Sequence, residues 1–337
     1  MTQLHPLARS VRRTLAVGAI AIGTAGLVAC GGGSGSSSGS DSGSLTVGVT
    51  DAPVDEADHV YVQFSSITLK PSDAEEDGGD GDGEDDSGDN PAFEEIEFDE
   101  PKRIDLLDQQ NGDSKLLIEN ESVPAGDYDW IRLGVDLGPD STFIEIGGKT
   151  FELGCPSCAQ TGLKLVSGFS VTDGGSLDLT IDFDLRKSIV ETGNSGDDKY
   201  KLKPALRLVE TDETGEIAVT ATSGYVMDRC PDNTDAQSAY VFEGAGVSPD
   251  DVDTTDDGDV DPVSTVSLEQ DVDSSDFVGT AAFLDEGQYT VAFTCDPEND
   301  EPEVDEDNTD AAGNVFFEDT TTVEVNAGQT ASYDLSL

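Results

Sequence analysis

The chain has 337 residues, with 17 lysines and arginines against 72 aspartates and glutamates, a net charge of −55. Such a surface repels phosphate backbones and anionic headgroups, which excludes nucleic acid as a direct partner and leaves membrane attachment to a covalent lipid. Hydrophobic residues make up 35% and fall in alternating runs between acidic, Gly-rich stretches, the pattern of folded β-structure with long acidic loops.

The chain opens on a basic segment, Arg9, Arg12 and Arg13, followed by an apolar run from Leu15 to Ala29. That run is a signal-peptide core, shorter than the about 20 residues a spanning helix needs. Leu27-Val28-Ala29-Cys30 resembles a bacterial lipobox, which implies cleavage after residue 29 and a lipid on Cys30. The alternative is an ordinary signal peptide with an incidental cysteine. Arg12-Arg13 leaves twin-arginine export open beside the general route. Residue 31 is Gly, not the Asp of an inner-membrane retention signal, so the outer membrane or cell surface is favoured. Residues 30–44 form the lipidated cysteine and a Gly/Ser tether of about 20 Å r.m.s. span. Loss of residues 1–29 removes three arginines and no acid, leaving 14 basic residues (17 − 3) against 72 acidic and a net charge of −58. At about 1 M salt the screening length falls to ~3 Å, so halophilic adaptation accounts for the bulk charge.

The predicted first body spans 45–212. "LTVGVTDAP" (45–53) and "HVYVQFSSITLKP" (59–71) alternate as strands and close on Asp/Pro turns. Residues 72–91 are an acidic, disordered insertion. Strands resume at "FEEIEF", "KRIDLLD" and "VPAGDYDWIRLGVDL". "TFIEIGGKTFEL" is a hairpin turning at Gly147-Gly148. "LKLVSGFSVTDGGSLDLTIDFDLRKSIVE" and "YKLKPALRLVE" complete the body. The second body, 216–337, carries "EIAVTATSGYV", "SAYVFEGAGV", "VSTVSLEQ", "FVGTAAFLDEGQYTVAFTC" and "TTTVEVNAGQTASYDLSL". Short strands with Gly/Asp turns and no long 3.6-residue period predict an all-β chain of two tandem β-sandwich domains, with few and short helices. "VPAGDYDWIRLGV" and "LDEGQYTVAFTC" share Gly-x-Tyr before an alternating strand. That echo predicts a Tyr packed over the sandwich edge in each body.

"LTVGVTDAPVDEADHVYVQFSSITLKP", "VPAGDYDWIRLGVD", "GFSVTDGGSLDLTIDFDLRKSIV" and "YKLKPALRLVE" make the first body similar to a bacterial and archaeal lipoprotein family, the domain of unknown function 4382. The resemblance covers about 45–210. It implies an exported, lipid-anchored β-domain and no activity. On "LDEGQYTVAFT" and "VNAGQTASYDLSL" the second body resembles transthyretin-like or carboxypeptidase-regulatory sandwiches, with an Ig-like sandwich the other expectation.

After cleavage one histidine remains, His59, beside Asp58 at a strand start. Acyl-transfer triads use a base tuned near neutral pH, and a lone surface His supplies none. Four cysteines remain, Cys155, Cys158, Cys230 and Cys295, an even number that predicts two disulfides outside the cytoplasm. The expected pairs are Cys155–Cys158, structural and not redox-active, and Cys230–Cys295; crossed pairs between the bodies are the alternative. "DTTDDGDVDPVS" resembles a calcium loop through Asp253, Thr255, Asp257, Asp259 and Asp261, but Ser264 stands where a bidentate Glu would close it. It is either a Ca²⁺ site or a solvated acidic loop. Of the basic residues only Arg229 lies beyond Arg207. Lys70, Arg132, Arg186, Lys187, Lys203 and Arg207 are therefore either an anion-binding face for a carboxylated or sulfated glycan or salt-bridge partners for surplus acids.

These readings converge on an exported, lipid-anchored envelope protein without catalytic activity. Its partners are the membrane, through the lipid only, and a glycan or surface protein. The alternatives are a calcium-responsive adhesion module and a carboxylate-dependent glycan hydrolase.

Overall fold

The computed structural model describes residues 41–52, 57–74, 93–192, 199–231, 233, 236–252, 260–300 and 315–337. Cys30 and four of the calcium-loop residues, Asp253, Thr255, Asp257 and Asp259, lie outside them, as does most of the acidic insertion. The first body contains β1 (Ser42–Ala52), β2 (His59–Pro71), β3 (Glu94–Asp105), β4 (Lys115–Pro124), β5 (Gly126–Asp136), β6 (Phe143–Ile146) and β7 (Lys149–Gly154). After helix α1 (Cys158–Thr161) come β8 (Leu163–Leu165), β9 (Phe169–Val171) and β10 (Ser176–Asp184), then helix α2 (Leu185–Ser188) and β11 (Ile189–Glu191), β12 (Tyr200–Leu202) and β13 (Leu206–Glu210). The second body contains β14 (Thr214–Ala221), helix α3 (Ser223–Arg229), β15 (Ser238–Glu243), β16 (Ser264–Ser267), β17 (Glu269–Gln270), β18 (Phe277–Asp285), β19 (Gly287–Thr294), β20 (Phe317–Val325) and β21 (Thr330–Leu335).

Each body is a sandwich. In the first, a four-stranded sheet ordered β13-β10-β1-β4 faces a nine-stranded sheet ordered β11-β12-β7-β6-β2-β5-β8, with β3 on β2 and β9 on β5. Val47 and Val49 from one sheet, and Val62, Phe64 and Ile131 from the other, meet in one buried core. In the second body, β17-β18-β14-β21 faces β16-β15-β19-β20 around Ile217, Val241, Val291 and Phe293. The driving force is the burial of alternate apolar residues from both sheets.

Two bulges set which side chains face outward. β2 buries Val60, Val62 and Phe64, then Ile67 and Leu69, because its register slips between Phe64 and Ser66. β5 slips between the partners of Lys70 and Pro71, so Tyr128 faces the core while Trp130 does not. An extra residue re-phases the alternation of everything after it.

The Gly-x-Tyr echo corresponds to the same structure in both bodies. The Tyr128 hydroxyl donates to the Pro124 carbonyl at 2.7 Å, and the Tyr289 hydroxyl donates to the Asp285 carbonyl at 2.9 Å. Both rings are buried. Each is a tyrosine corner: the ring packs over the sandwich edge and the hydroxyl ties down the chain four residues upstream. Each such bond contributes about 1 kcal/mol.

Three expectations are corrected. Ser42 to Ser44 belong to β1 and not to the tether, pairing with Pro124, Val123 and Ser122. Gly43 permits this, since a Cβ there would lie 2.5 Å from Val171 Cγ1 and 2.6 Å from the Thr172 carbonyl oxygen. The end of "EIAVTATSGYV" is helical: Thr222 caps α3 by accepting from the Tyr225 N–H, which takes Tyr225 and Val226 out of the strand. "KLLIENESVP", not read as a strand in the sequence, forms β4 against β1.

Candidate functional site

The outer side of the nine-stranded sheet gathers cations around the single tryptophan. β2 and β5 pair antiparallel with Thr68 opposite Arg132 and Lys70 opposite Trp130, and β8 sets Lys164 opposite Arg132. Leu69, Ile131, Leu133 and Leu163 point into the core. By the period of two, Thr68, Lys70, Trp130, Arg132 and Lys164 share the opposite face. The Lys164 ammonium lies 4.6 Å from the Trp130 ring centroid and the Arg132 guanidinium 5.2 Å. Phe93 meets the same ring edge-on, with centroids 5.4 Å apart. Arg132 also donates to the Thr68 hydroxyl at 3.3 Å. Among the described residues the buried Trp130 indole N–H meets no acceptor.

Lys70, nearly buried, donates to Asp129 at 2.6 Å. Asp129 is the extra residue of the β5 bulge, and its bond from Lys70, then Ser72, holds its carboxyl below the usual carboxylate range. Lys164 and Phe93 stay exposed. The arrangement is a buried indole capped by two cations and Phe93. Chemically Lys164 and Arg132 offer charge-assisted donors, and the exposed Phe93 ring an apolar surface, to an anionic, partly apolar ligand such as an acidic sugar.

Residues 42–204 match the family described as "Domain of unknown function (DUF4382)". The first body is a DUF4382 domain. The match ends before β13, and the second body lies beyond it. No curated protein matches the chain. Among solved structures, a candidate adhesin from Bacteroides ovatus is 8% identical over 93% of this chain and 95% of its own, with a TM-score of 0.21. The major pilin of Streptococcus pyogenes is 12% identical over 88% of this chain and 99% of its own, with a TM-score of 0.14. At those TM-scores neither likeness bears on fold or function.

The six cations expected to form one anion-binding face are dispersed. Only Lys70 and Arg132 sit on the cation-rimmed face of the DUF4382 domain, and Lys70 is paired with Asp129. Arg186 is 3% exposed and is consumed by the second body, donating to the Tyr240 hydroxyl at 2.6 Å, to Asp300 at 3.1 Å and to the Pro297 carbonyl at 3.2 Å. Its neighbour Lys187 pairs with Asp261 at 2.5 Å. Asp261, expected as a calcium ligand, is therefore an ion-pair partner. Arg207 pairs with Asp182 at 2.7 Å, and Lys203 is exposed elsewhere. Spacing along the chain could not separate these environments, because α2 is buried by residues 54 and 114 positions away. Trp130 and Lys164 were missed as companions of Lys70 and Arg132. The one sequence signal was position on the polar phase of three strands, and the register that joins those strands is non-local.

Both disulfides are Cys155–Cys158 and Cys230–Cys295. His59 Nδ1 lies 2.5 Å from Asp105, whose other oxygen accepts from the Val60 N–H at 3.1 Å. That hydrogen bond raises the imidazole pKa and pins the start of β2. Among the described residues no three His, Cys, Asp or Glu side chains could jointly hold a metal ion, and no helix is long and apolar enough to cross a membrane. A cleft of about 400 Å³ is lined by Arg207, Glu243, Asp285, Glu286 and Tyr289, among others.

Beside the Arg186 network, burial and then the charges of Asp300 and Asp250 push the Asp251 carboxyl up to about 7. The folded chain then holds a proton that the unfolded chain, with an ordinary carboxyl near 3.8, has released. Its contribution to stability is greatest at or below pH 4 and is lost as pH rises through 7. Asp251→Asn is expected to flatten the decline in urea midpoint between pH 5 and pH 8; an unchanged slope would disprove the assignment.

Proposed function

We propose that this chain is a lipid-anchored, non-catalytic recognition protein of the cell envelope that holds an anionic glycan on the outer side of the nine-stranded sheet of its DUF4382 domain. The observation that carries the reading is the pair Arg132 and Lys164 over Trp130, in a chain with 72 acidic residues against 17 basic ones. A face that attracts anions in so negative a molecule is a local reversal of its field, and reversed fields select ligands and steer their approach. Export is supported by the signal segment, by Cys30 in its lipobox-like setting and by two disulfides, which persist in oxidising compartments.

The test is a glycan array with the mature chain, followed by titration of any acidic hit. Arg132→Glu combined with Lys164→Glu is expected to weaken binding at least tenfold, with the far-ultraviolet circular dichroism unchanged. Neutral glycans bound in preference to acidic ones, or a double variant that binds as well as wild type, would refute the proposal.

A further inference from the structure

A small polar cavity lies where the two bodies meet. Asp51, Gln110 and Asn111 line it from the first body, and Ser264, Thr265 and Ser267 from the second. Its volume is about 20 Å³, enough for one water-sized species and no more. Asp51 is 7% exposed and Thr265 is 5% exposed. Neither carboxylate oxygen of Asp51, nor the Thr265 hydroxyl, has a hydrogen-bond partner among the described residues. The Leu185 N–H and the Gln110 side chain approach Asp51 without closing a bond. The cavity walls are fixed. Asn111 Oδ1 accepts from the Thr280 N–H at 2.9 Å, and the Thr50 hydroxyl holds the same loop through the carbonyls of Gln109 at 2.9 Å and Asp113 at 2.8 Å.

We propose that this cavity is a binding site for one monovalent cation of the sodium class, held by oxygen ligands from both bodies. A buried carboxylate without a partner costs several kcal/mol, so something must answer it. Among the described residues no Lys, Arg or His lines the cavity. The nearby cations are engaged elsewhere, Arg207 with Asp182 and Lys187 with Asp261. The side-chain donors are a carboxylate, hydroxyls and amides, a hard set that suits alkali and alkaline-earth ions rather than soft metals. One carboxylate in a one-atom space balances a single positive charge. Calcium, with six to eight oxygens and usually several carboxylates, is a poor match.

The competitor for this carboxylate is a proton. Burial, followed by the charges of Asp182 and Asp184, raises the Asp51 carboxyl well above its ordinary value. A cation must therefore displace that proton, and it binds better as pH rises. Because ligands come from β1 and the 110–111 loop on one side and from β16 on the other, occupancy clamps one body to the other.

The test is thermal unfolding of the mature chain in sodium chloride and in choline chloride at equal ionic strength, which cancels general screening of the acidic surface. At pH 8 sodium is expected to raise the Tm by about 3 °C over choline. The gap should shrink at pH 5.5 and vanish in Asp51→Asn. Thr265→Val, which keeps the carboxylate, should reduce the gap. ²³Na relaxation on the wild-type chain, with a bound fraction that grows from pH 5.5 to pH 8, gives the same answer without relying on a variant that folds. Equal Tm values in the two salts at pH 8, a gap that survives Asp51→Asn, or a response to Ca²⁺ but not Na⁺ would each overturn the proposal.

Discussion

Replacing Arg186 with methionine is expected to cost about 3–5 kcal/mol of folding stability, the loss found when one partner of a buried ion pair is removed. Arg186 and Asp300 have side chains 3% and 0% exposed. Asp300 also accepts from the Tyr240 hydroxyl at 2.5 Å and from the Val252 N–H at 3.3 Å, and the guanidinium lies over the Tyr240 ring at 5.4 Å. Removing the cation leaves a carboxylate inside the protein with two donors and no counter-charge. Burial already outweighs Arg186 in setting Asp300, whose carboxyl is raised. Without Arg186 it rises further. The folded variant then holds a proton the unfolded chain lacks, so its deficit should grow as pH rises from 5 to 8. The double variant Arg186→Met, Asp300→Leu should recover much of the loss, because an apolar pair of similar volume fills the site without a buried charge. Urea unfolding at pH 5 and pH 8 reads all three effects. A loss below about 1 kcal/mol at both pH values would mean that the Arg186–Asp300 pair does not hold the two bodies together.

Removing the bridge between Cys230 and Cys295 is the second large effect. The two half-cystines are separated by 65 residues. The chain-entropy model assigns such a bridge about 4 kcal/mol, through restriction of the unfolded state. The Cys155–Cys158 bridge closes a separation of only 3 residues, for which the same model gives less than about 2 kcal/mol. The variant Cys230→Ser, Cys295→Ser should therefore lose most of the stability of the second sandwich, while Cys155→Ser, Cys158→Ser should lose about 2 kcal/mol less. All four half-cystines are buried, the long bridge beside Tyr225 and Phe293 and the short one in the first core, so the serines add a polar penalty of about 1–3 kcal/mol per buried hydroxyl to both variants and the difference between them is the loop term. Guanidinium unfolding of the two variants separates them. Equal losses, or a larger loss for the short bridge, would contradict the argument.

Alternation along the chain determined most of the strands, the turns at Gly147-Gly148 and Asp173-Gly175, and the paucity of helix, because the period of two is a local property of side chains on a pleated backbone. Composition determined the excess of acid, and the even cysteine count determined that there are two disulfides, while the fold decided against crossed pairs between the bodies. The repeated Gly-x-Tyr stretch determined both tyrosine corners, since glycine, ring and accepting carbonyl all lie within a few neighbouring residues. Tertiary structure alone decided the rest. Bulges in β2 and β5 shift the phase, so which of Tyr128 and Trp130 faces outward depends on how β2 pairs with its neighbours. Arg186 and Asp51 are buried where the second body packs on the first, and Thr265 faces Asp51 from the second body across the same junction, and the meaning of a charge is set by what buries it. The face around Trp130 exists because three strands distant in the chain pair in one register, and register follows from non-local pairing that no window of sequence contains.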